Sequence, residues 1–476
     1  MALAVLVCLC RATGAQQITE NLEPRASEGR GEIIVSGKKI EYISKAEETF
    51  LYGKAGKTPF ASIITFSYTR VNPDKGEKRP VVFFFNGGPG ASSSPLHLHA
   101  FGPFVISQTA RRSLIANENS LLDAADLVFV DPAGTGYTRV FNEDSAKIYW
   151  DVRGDALEVL STIKSWIGKN GRGSSPLFIC GESYGTMRLA EMIGVNEDLK
   201  ISGAIMLSTI FDLTSSSAVE GNDIPYVTGL PTMAAIAYFH HQTRIRAKDA
   251  ADIFNKASRF AEGDYFSALM KGSSINMKER DRIAWKLSAF TGLSADSLIA
   301  KNLRIKTEDY QVMLLAAQDK RIGILDGRKT GPLHTDLKPP YSDPSMSLGR
   351  DTVSGRLMKE YFNSALNFPD TGKYKSLNLN INFKWNWSSA QKDFYYTVIP
   401  EFSVAAMKNP GLRILIAGGI FDMATPLWSA KYQIDHSGIP PGRITFMTFP
   451  TGHSIFEDEV QLKILAGRLR EFIQGR

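Results

Sequence analysis

Short apolar runs alternate with helix-compatible stretches over the first half of the chain. Residues 81–85, 126–130, 176–180 and 203–208 are each rich in Val, Ile, Leu and Phe, which is typical of strands buried on both faces of a parallel sheet. Between the second and third runs, apolar side chains recur at helical spacing and predict a crossover helix (Val152, Ala156, Val159, Ile163 and Trp166). Residues 32–35 and 62–68 alternate instead, which predicts an antiparallel start to the sheet.

The succession of short, strand-like apolar runs stops near residue 216 and resumes only with the runs 413–417 and 444–449. The sequence therefore predicts an α/β core in two parts, residues 30–215 and 391–476, with a helical cap inserted over residues 216–390. Four aromatic residues of the cap could line a substrate entrance or fill the cap's own core (Tyr226, Tyr238, Trp385 and Trp387). The pattern does not decide between these two roles.

Composition narrows the classes of protein. A chain of 476 residues with 43% hydrophobic content can bury a large core, and its net charge of +6 is spread without a dense basic block, which argues against nucleic-acid binding. Residues 1–15 are apolar and end in Thr13-Gly14-Ala15, so they resemble a signal peptide without the basic n-region. This favours export to a periplasm or the extracellular space over the cytoplasm. No other apolar run approaches the length of a membrane span.

The pentapeptide Gly-Glu-Ser-Tyr-Gly at residues 181–185 lies between a predicted strand and a predicted helix. This context is typical of a nucleophile elbow, in which glycines permit a sharp turn and the serine hydroxyl is held out of the sheet. Ser183 is therefore the candidate nucleophile. A serine needs a neutral imidazole to take its proton and a carboxylate to orient that imidazole.

In an α/β-hydrolase sheet the acid and the base follow the serine in that order, at the carboxyl ends of later strands. Asp422 follows the run 413–417, and His453 follows the run 444–449. Of the seven histidines, only His453 has this position; Asp435 and Asp458 lie in helix-like segments, where solvated carboxylates are common. We therefore predict the triad Ser183, Asp422 and His453.

An acyl-transfer site also needs donors for an oxyanion. The backbone N–H of Tyr184 is one candidate, and Gly88 in the loop after residues 81–85 is the second. This loop, Asn86-Gly87-Gly88-Pro89-Gly90, lacks both the Gly-Lys-Ser/Thr ending of a phosphate-binding P-loop and the G-x-G-x-x-G spacing of a dinucleotide site. The predicted chemistry requires neither a metal ion nor a cofactor.

The glycine-rich loop, Asp131-Pro132-Ala133-Gly134-Thr135-Gly136-Tyr137, the elbow, the Asp422 loop and Thr451-Gly452-His453 together resemble the motifs of the serine carboxypeptidase family, in its bacterial branch. The resemblance implies an α/β-hydrolase fold, with a mostly parallel central sheet flanked by helices, and removal of C-terminal residues from peptides. It also implies that Asn86, Gly87 and Glu182 bind the substrate, with Asn86 and Glu182 recognising its C-terminal carboxylate.

Two positions depart from the eukaryotic pattern of that family. Ala91 replaces a cysteine that anchors a disulfide, and Ala100 replaces a glutamate that shares a proton with the position of Glu182. Glu182 therefore lacks the partner that it has in those relatives. Because the family that the chain resembles includes acyltransferases, an esterase or an acyltransferase that uses the same triad on a peptide or small acyl substrate remains the alternative. The sequence leaves side-chain preference and oligomeric state undetermined.

Overall fold

A nine-stranded mixed sheet forms the centre of the computed structural model, which describes residues 22–53, 56, 58–71, 78–107, 113–346, 352–368, 372–392 and 395–476. The predicted signal peptide of residues 1–15 lies outside the described residues. The strands, numbered in chain order, are β1 (Ala26–Val35), β2 (Lys38–Tyr52), β3 (Pro59–Arg70), β4 (Val81–Phe85), β5 (Asp126–Asp131), β6 (Leu177–Glu182), β7 (Ile201–Leu207), β8 (Arg413–Gly419) and β9 (Ile444–Phe449).

The strand order across the sheet is β1-β2-β3-β5-β4-β6-β7-β8-β9. The first three strands pair antiparallel, β3 pairs antiparallel with β5, and every later pairing is parallel. The sequence predicted the parallel strands and parts of β1 and β3, but it missed β2. Charged residues interrupt the apolar pattern of this long edge-side strand because only one of its faces is buried.

Helices cover both faces of the sheet. Alternate residues of β4 enter two separate apolar clusters, with Phe83 in one and Phe84 in the other, as the two-residue period of a strand requires. The longer helices are α1 (Val152–Lys169), α2 (Tyr184–Val195), α3 (Ile224–Phe239), α4 (Ala250–Phe260), α5 (Phe266–Lys271), α6 (Met277–Thr291), α7 (Ala295–Ala300), α8 (Thr307–Met313), α9 (Thr352–Ser364), α10 (Leu379–Lys384), α11 (Ile399–Lys408), α12 (Leu427–Asp435) and α13 (Glu459–Gln474). Single helical turns occupy Ser94–Leu96 and Glu143–Ala146, and π-helical turns occupy His97–Phe101 and Ala261–Tyr265.

The connection between β7 and β8 carries helices α3 to α11 and two of the small two-stranded sheets. The small sheets pair Phe104–Ile106 with Leu114–Ala116, Lys320–Ile322 with Thr330–Pro332, and Gln391–Lys392 with Tyr395–Tyr396. This connection contains the segment predicted as a cap, and we call it the insertion. Its division from the core at residues 216 and 390 stays a prediction. Among the described residues, every helix is too short or too polar to cross a membrane.

The predicted crossover helix is α1, and its ends follow ordinary rules. Asp151 caps it, since the carboxylate accepts a hydrogen bond from the N–H of Gly154 at 2.7 Å. Val152, Ala156 and Val159 lie on its buried side. Both α1 and α11 pack against α2, the helix that follows the elbow. The helix carrying Tyr184 is therefore enclosed on more than one side.

A buried ionic cluster ties the amino end of β5 to two loops. The Asp126 carboxylate accepts hydrogen bonds from Arg79 Nε at 2.8 Å, from the backbone N–H of Arg70 at 3.0 Å, and from Arg172. Arg79 also donates to the carbonyl of Ala125 at 2.8 Å. The side chains of both Asp126 and Arg79 are only 3% exposed, so neither charge has access to bulk water.

We expect Asp126→Ala to lower the free energy of unfolding by about 3–5 kcal/mol, because removing one partner leaves buried arginine charge without compensation. Urea unfolding followed by circular dichroism measures this loss. Asp144→Ala is the control: its carboxylate pairs with Lys147 at the surface and should leave the midpoint in place. Equal midpoints for the two variants would contradict the assigned importance of the buried cluster.

Candidate active site

Ser183 occupies a strained turn between the last residue of β6 and the first residue of α2. Its φ of 58° and ψ of −133° lie in a region that residues with a side chain rarely adopt. Three hydrogen bonds hold the turn: Ser183 N–H donates to Leu207 O at 2.9 Å, and both the backbone N–H and Oγ1 of Thr186 donate to Ser183 O at 2.8 Å. The backbone therefore has the conformation expected of a nucleophile elbow.

Glycines let three backbone segments meet at this turn. A Cβ on Gly181 would lie 2.5 Å from Gly185 O, and one on Gly185 would lie 3.0 Å from Phe85 O. A Cβ on Gly87 would lie 2.6 Å from Gly185 N and would also collide with the N–H group of Tyr184. The glycine-rich loop can approach the first turn of α2 only because these side chains are absent.

Asp422 and His453 form a hydrogen-bonded pair at the carboxyl ends of β8 and β9. His453 Nδ1 lies 2.7 Å from Asp422 Oδ2, and the same oxygen accepts a hydrogen bond from Thr425 Oγ1 at 2.6 Å. Asp422 Oδ1 accepts from the backbone N–H groups of Ala424 at 2.9 Å and Thr425 at 3.1 Å. The fully buried carboxylate therefore fixes the orientation of the imidazole, with its Nδ1 as donor.

The charge around His453 favours its protonated form. Burial by itself lowers the pKa of this imidazole, but the charge of Asp422 and the hydrogen bond to it, together with the charge of Glu182, outweigh burial and raise the pKa to about 9. Asp422 thus stabilises the imidazolium that forms when His453 accepts a proton.

Ser183 is linked to His453 through their chain neighbours. Ser454 Oγ donates to Glu182 Oε1 at 3.0 Å, and Ser208 Oγ donates to the carbonyl of His453. Among the described residues, no hydrogen bond joins the Ser183 hydroxyl to His453 directly. The structure therefore brings the serine and the histidine to the same edge of the sheet without closing the hydrogen bond between them, as is common before substrate binds.

Asn86 and Glu182 are in direct contact. Asn86 Nδ2 donates to Glu182 Oε2, while Asn86 Oδ1 accepts from the backbone N–H of Leu96 at 3.2 Å. Burial raises the pKa of Glu182 to about 7, against the opposing effects of the His453 charge and of the hydrogen bonds from Ser454 and Asn86. Glu182 is consequently a carboxyl group that can hold its proton near neutral pH.

Gly88 has a φ of 98° and belongs to the same loop as Asn86 and Gly87. Since Gly87 closely approaches the N–H groups of Tyr184 and Gly185, the loop and the start of α2 are immediate neighbours. The structure thus brings together all the residues predicted for the oxyanion hole and for substrate binding, namely Asn86, Gly87, Gly88, Glu182 and Tyr184.

The competing acidic residues and histidines have other contacts. Asp435 pairs with Lys431 at the surface, and Asp458 caps α13 by accepting from the N–H groups of its first turn. His436 is the C-cap of α12. His97 is buried against the ring of Phe129 with the centroids 4.2 Å apart, and burial lowers the pKa of His97 to about 3, so this side chain stays neutral.

The insertion supplies contacts that sequence reasoning missed. Leu325 O accepts from His453 N–H at 2.6 Å, Ile324 O accepts from Met423 N–H at 3.0 Å, and Gly327 N–H donates to Phe421 O at 2.9 Å. One strip of the insertion, residues 324–327, therefore holds the acid loop and the base loop together. These are main-chain contacts between segments far apart in the sequence, so no pattern of residues predicts them.

A second strip of the insertion, residues 378–387, contacts the glycine-rich loop. Asn378 N–H donates to Gly90 O at 2.8 Å, and Asn382 Nδ2 donates to Pro89 O at 3.1 Å. The rings of Trp385 and Trp387 lie edge-on to Tyr184, with centroid distances of 5.2 and 5.7 Å respectively. Both tryptophans thus pack on the residue that follows Ser183.

Residues 65–197 match a family model described as serine carboxypeptidase. The matched segment includes the glycine-rich loop and the elbow but ends before Asp422. The pheromone-processing carboxypeptidase KEX1 of Komagataella phaffii is 38% identical over 78 residues, which cover 16% of this chain and 12% of that protein. Serine carboxypeptidase-like 13 of Arabidopsis thaliana is 26% identical over 251 residues, covering 48% of this chain and 53% of that protein.

The chain is therefore similar to serine carboxypeptidases. The matched segments span only 12% of the KEX1 protein and about half of the Arabidopsis protein. These relatives come from a yeast and a plant, and they give no support to the predicted bacterial branch. The crystal structure of KEX1(delta)p, a prohormone-processing carboxypeptidase from Saccharomyces cerevisiae, superposes with a TM-score of 0.54 at 13% identity, covering 91% of each chain. This likeness confirms the predicted α/β-hydrolase fold.

We expect Gly87→Ala to lower the rate of Ser183 labelling by a fluorophosphonate probe by about 10²-fold, since the added methyl group must push the loop away from Tyr184 and an offset near 1 Å is costly at a reacting centre. Gly168→Ala is the matched control, because a Cβ there meets nothing within 4 Å. Wild-type labelling of a folded Gly87→Ala protein would show that the close approach is not needed for reactivity.

Proposed function

We propose that this protein is a serine carboxypeptidase that removes C-terminal residues from peptides through an acyl-enzyme on Ser183. The observation that carries the proposal is the buried Asp422–His453 pair at the sheet edge where Ser183 occupies its strained turn. The similarity of residues 65–197 to the serine carboxypeptidase family supports the same reading. The triad, the oxyanion donors and the carboxylate-binding residues are assigned here as proposals.

In this mechanism His453 accepts the Ser183 proton through Nε2 while the serine oxygen attacks the scissile carbonyl carbon. The backbone N–H groups of Tyr184 and Gly88 stabilise the oxyanion of the tetrahedral intermediate. The C–N bond then breaks, and the imidazolium returns its proton to the leaving amino group. Water, deprotonated by His453, attacks the acyl-enzyme in the second half-reaction and regenerates Ser183.

Recognition of the substrate carboxylate is assigned to the Asn86–Glu182 pair. A protonated Glu182 can donate a hydrogen bond to a carboxylate, whereas an ionised one repels it. The buried contact with Asn86 and the raised pKa of Glu182 support this assignment without the second glutamate that Ala100 replaces. His97 supplies no positive charge for this purpose, because it is buried and neutral.

The apolar residues 1–15 with their small-residue ending support the further proposal that the enzyme is exported and acts outside the cytoplasm.

The same triad could act on esters or transfer the acyl group to an acceptor other than water. Analysis of the products from a peptide, the matching ester and an added alcohol acceptor separates these activities.

We expect Ser183→Ala and His453→Ala each to reduce kcat by several powers of ten, because the triad works as a unit and only about 10³- to 10⁴-fold catalysis over water survives its loss. Asp422→Asn should reduce kcat by about 10⁴-fold, since an amide stabilises the wrong imidazole tautomer. Peptide hydrolysis by purified, folded variants measures these losses. Asp435→Asn is the control, and an equal loss in it would reassign the acid.

The pH dependence of hydrolysis reports on the protonation of Glu182 and His453. Hydrolysis of a peptide acid needs a protonated Glu182 and a neutral His453, whose pKa values are raised to about 7 and about 9 respectively. The pair must therefore carry one proton in total, a state that dominates between these two values. We expect kcat/KM for a peptide acid to rise through about pH 7 and fall above about pH 9, while the matching C-terminal amide shows no alkaline fall.

Glu182→Gln tests this assignment directly. Its amide donates a hydrogen bond at every pH, so the alkaline fall for peptide acids should disappear. The remaining acid limb should then report deprotonation of His453 alone, at a pKa below its parent value of about 9 because the negative charge of Glu182 is gone. Profiles of kcat/KM from pH 5 to about 10 for the acid and amide substrates decide the matter. An alkaline fall that persists in Glu182→Gln would assign carboxylate recognition to another group.

A further inference from the structure

A buried ion pair connects the two backbone segments that carry the proposed oxyanion donors. Asp155 lies on α1 and Arg188 on α2, and each side chain is only 1% exposed. Arg188 Nε donates to Asp155 Oδ2 at 2.7 Å. The mechanism above uses neither residue, although a charge pair with so little solvent around it needs several well-placed hydrogen bonds to be tolerated.

The same oxygen of Asp155 also holds the residue that carries the first donor. Tyr184 OH donates to Asp155 Oδ2 at 2.8 Å. Tyr184 and Arg188 are four residues apart on α2, so their side chains project from the same side of the helix and reach one acceptor together. The first turn of α2 is thus fixed to α1 through a single carboxylate oxygen.

The guanidinium of Arg188 extends this connection to the second donor. Arg188 Nη1 donates to the backbone carbonyl of Asn86 at 2.8 Å, two residues before Gly88. The guanidinium carbon also lies 5.1 Å from the ring centroid of Phe85 and 5.3 Å from that of Tyr184. Because the guanidinium is planar and rigid, its contact with Asp155 determines where it can hold the Asn86 carbonyl.

No side chain at the point of contact can set the distance between the loop and the helix. Gly87 and Gly185 meet there, backbone against backbone. The two N–H groups of an oxyanion hole must nevertheless lie about 3 Å from the same oxygen atom. Their relative placement therefore depends on neighbouring side-chain contacts: the Asn86–Glu182 hydrogen bond beside them and, behind them, the Asp155–Arg188 pair, which reaches both Tyr184 and Asn86.

We propose that Asp155 and Arg188 are positioning residues that set the separation between the N–H groups of Tyr184 and Gly88. The inference rests on the acyl-transfer function proposed above and adds to it the element that holds the oxyanion hole in place. Neither residue touches the substrate, so their effect is transmitted through Tyr184 and Asn86.

A second ion pair between the same two helices provides a matched control. Arg153 on α1 pairs with Glu191 on α2 at 2.9 Å; the Glu191 side chain is 3% exposed, whereas that of Arg153 is 48% exposed. Like the first pair, it bridges α1 and α2 with an arginine and a buried carboxylate. The hydrogen bond from Arg153 Nη1 to Glu191 Oε1 involves neither Asn86 nor Tyr184. If both pairs served helix packing alone, substitution of either arginine would change stability and leave catalysis unaltered.

The experiment compares Arg188→Lys with Arg153→Lys in the full chain. Lysine keeps the positive charge but presents a point donor in place of the fork that reaches both Asp155 and Asn86. We expect Arg188→Lys to lower kcat for a peptide by about 10- to 100-fold with KM changed less than about threefold, since the lost interaction acts on the transition state. The Ki of a peptide trifluoromethyl ketone, which forms a tetrahedral adduct, should rise by the same factor as kcat falls.

The apparent pKa values of the kcat/KM profile should stay those of the parent protein in Arg188→Lys, because the Asp422–His453 pair is untouched. Arg153→Lys should shift the thermal midpoint without changing kcat or the Ki of the ketone. If Arg188→Lys does not fold, Tyr184→Phe decides, since it removes only the hydroxyl that Asp155 accepts. We expect it to lower kcat and weaken the ketone together, by a smaller factor of about 3- to 10-fold.

Wild-type kcat and ketone affinity in a folded Arg188→Lys protein, or in Tyr184→Phe if only that variant folds, would reduce the pair to a structural contact and overturn the proposal. Failure of the proposed function gives a different result. In that case the unmutated protein itself reacts with neither a fluorophosphonate nor the ketone.

Discussion

The close approach of two glycine-bearing backbones is the constraint on which the site depends. Strands β4 and β6 are parallel neighbours in register from Val81 opposite Leu177 to Phe85 opposite Gly181, so the loop after one strand and the helix after the other begin at the same height. The glycines at 87, 181 and 185 then allow main chain to meet main chain. Any side chain there would push the glycine-rich loop away from the N-terminus of α2 and therefore away from the turn at Ser183.

The insertion also holds the loops of the site in place. Its strip 324–327 bonds to the loops that carry Asp422 and His453, and its strip 378–387 packs on the glycine-rich loop and on Tyr184. Both strips contact the edge of the sheet at which Ser183, Asp422 and His453 lie. Helices α3 to α8 precede both strips in the sequence, and α9 lies between the two strips. The insertion is therefore attached to the site at two separate points along its chain.

The sequence predicted the elements whose signals are local. The elbow, the parallel strands and the positions of Asp422 and His453 follow from apolar runs and from the rule that parallel strands keep their functional residues at one edge. Strand β2 was missed because its period-two pattern carries charged residues on the open face. Thr425, Ser454 and Arg188 could not be predicted, since each acts through a contact that exists only after distant segments have packed. The raised pKa of Glu182 likewise comes from burial, which no spacing of residues reveals.

The hydrogen bonds by which strip 324–327 holds the acid and base loops are made by peptide groups alone: the carbonyls of Ile324 and Leu325 and the N–H of Gly327. Peptide groups are the same whatever side chain they carry. The side chains at 324 and 325 can therefore change without loss of these hydrogen bonds, provided that the main chain keeps its path past the loops that carry Asp422 and His453. Gly327 is the exception, because a Cβ there would collide with the side chain of Ile236.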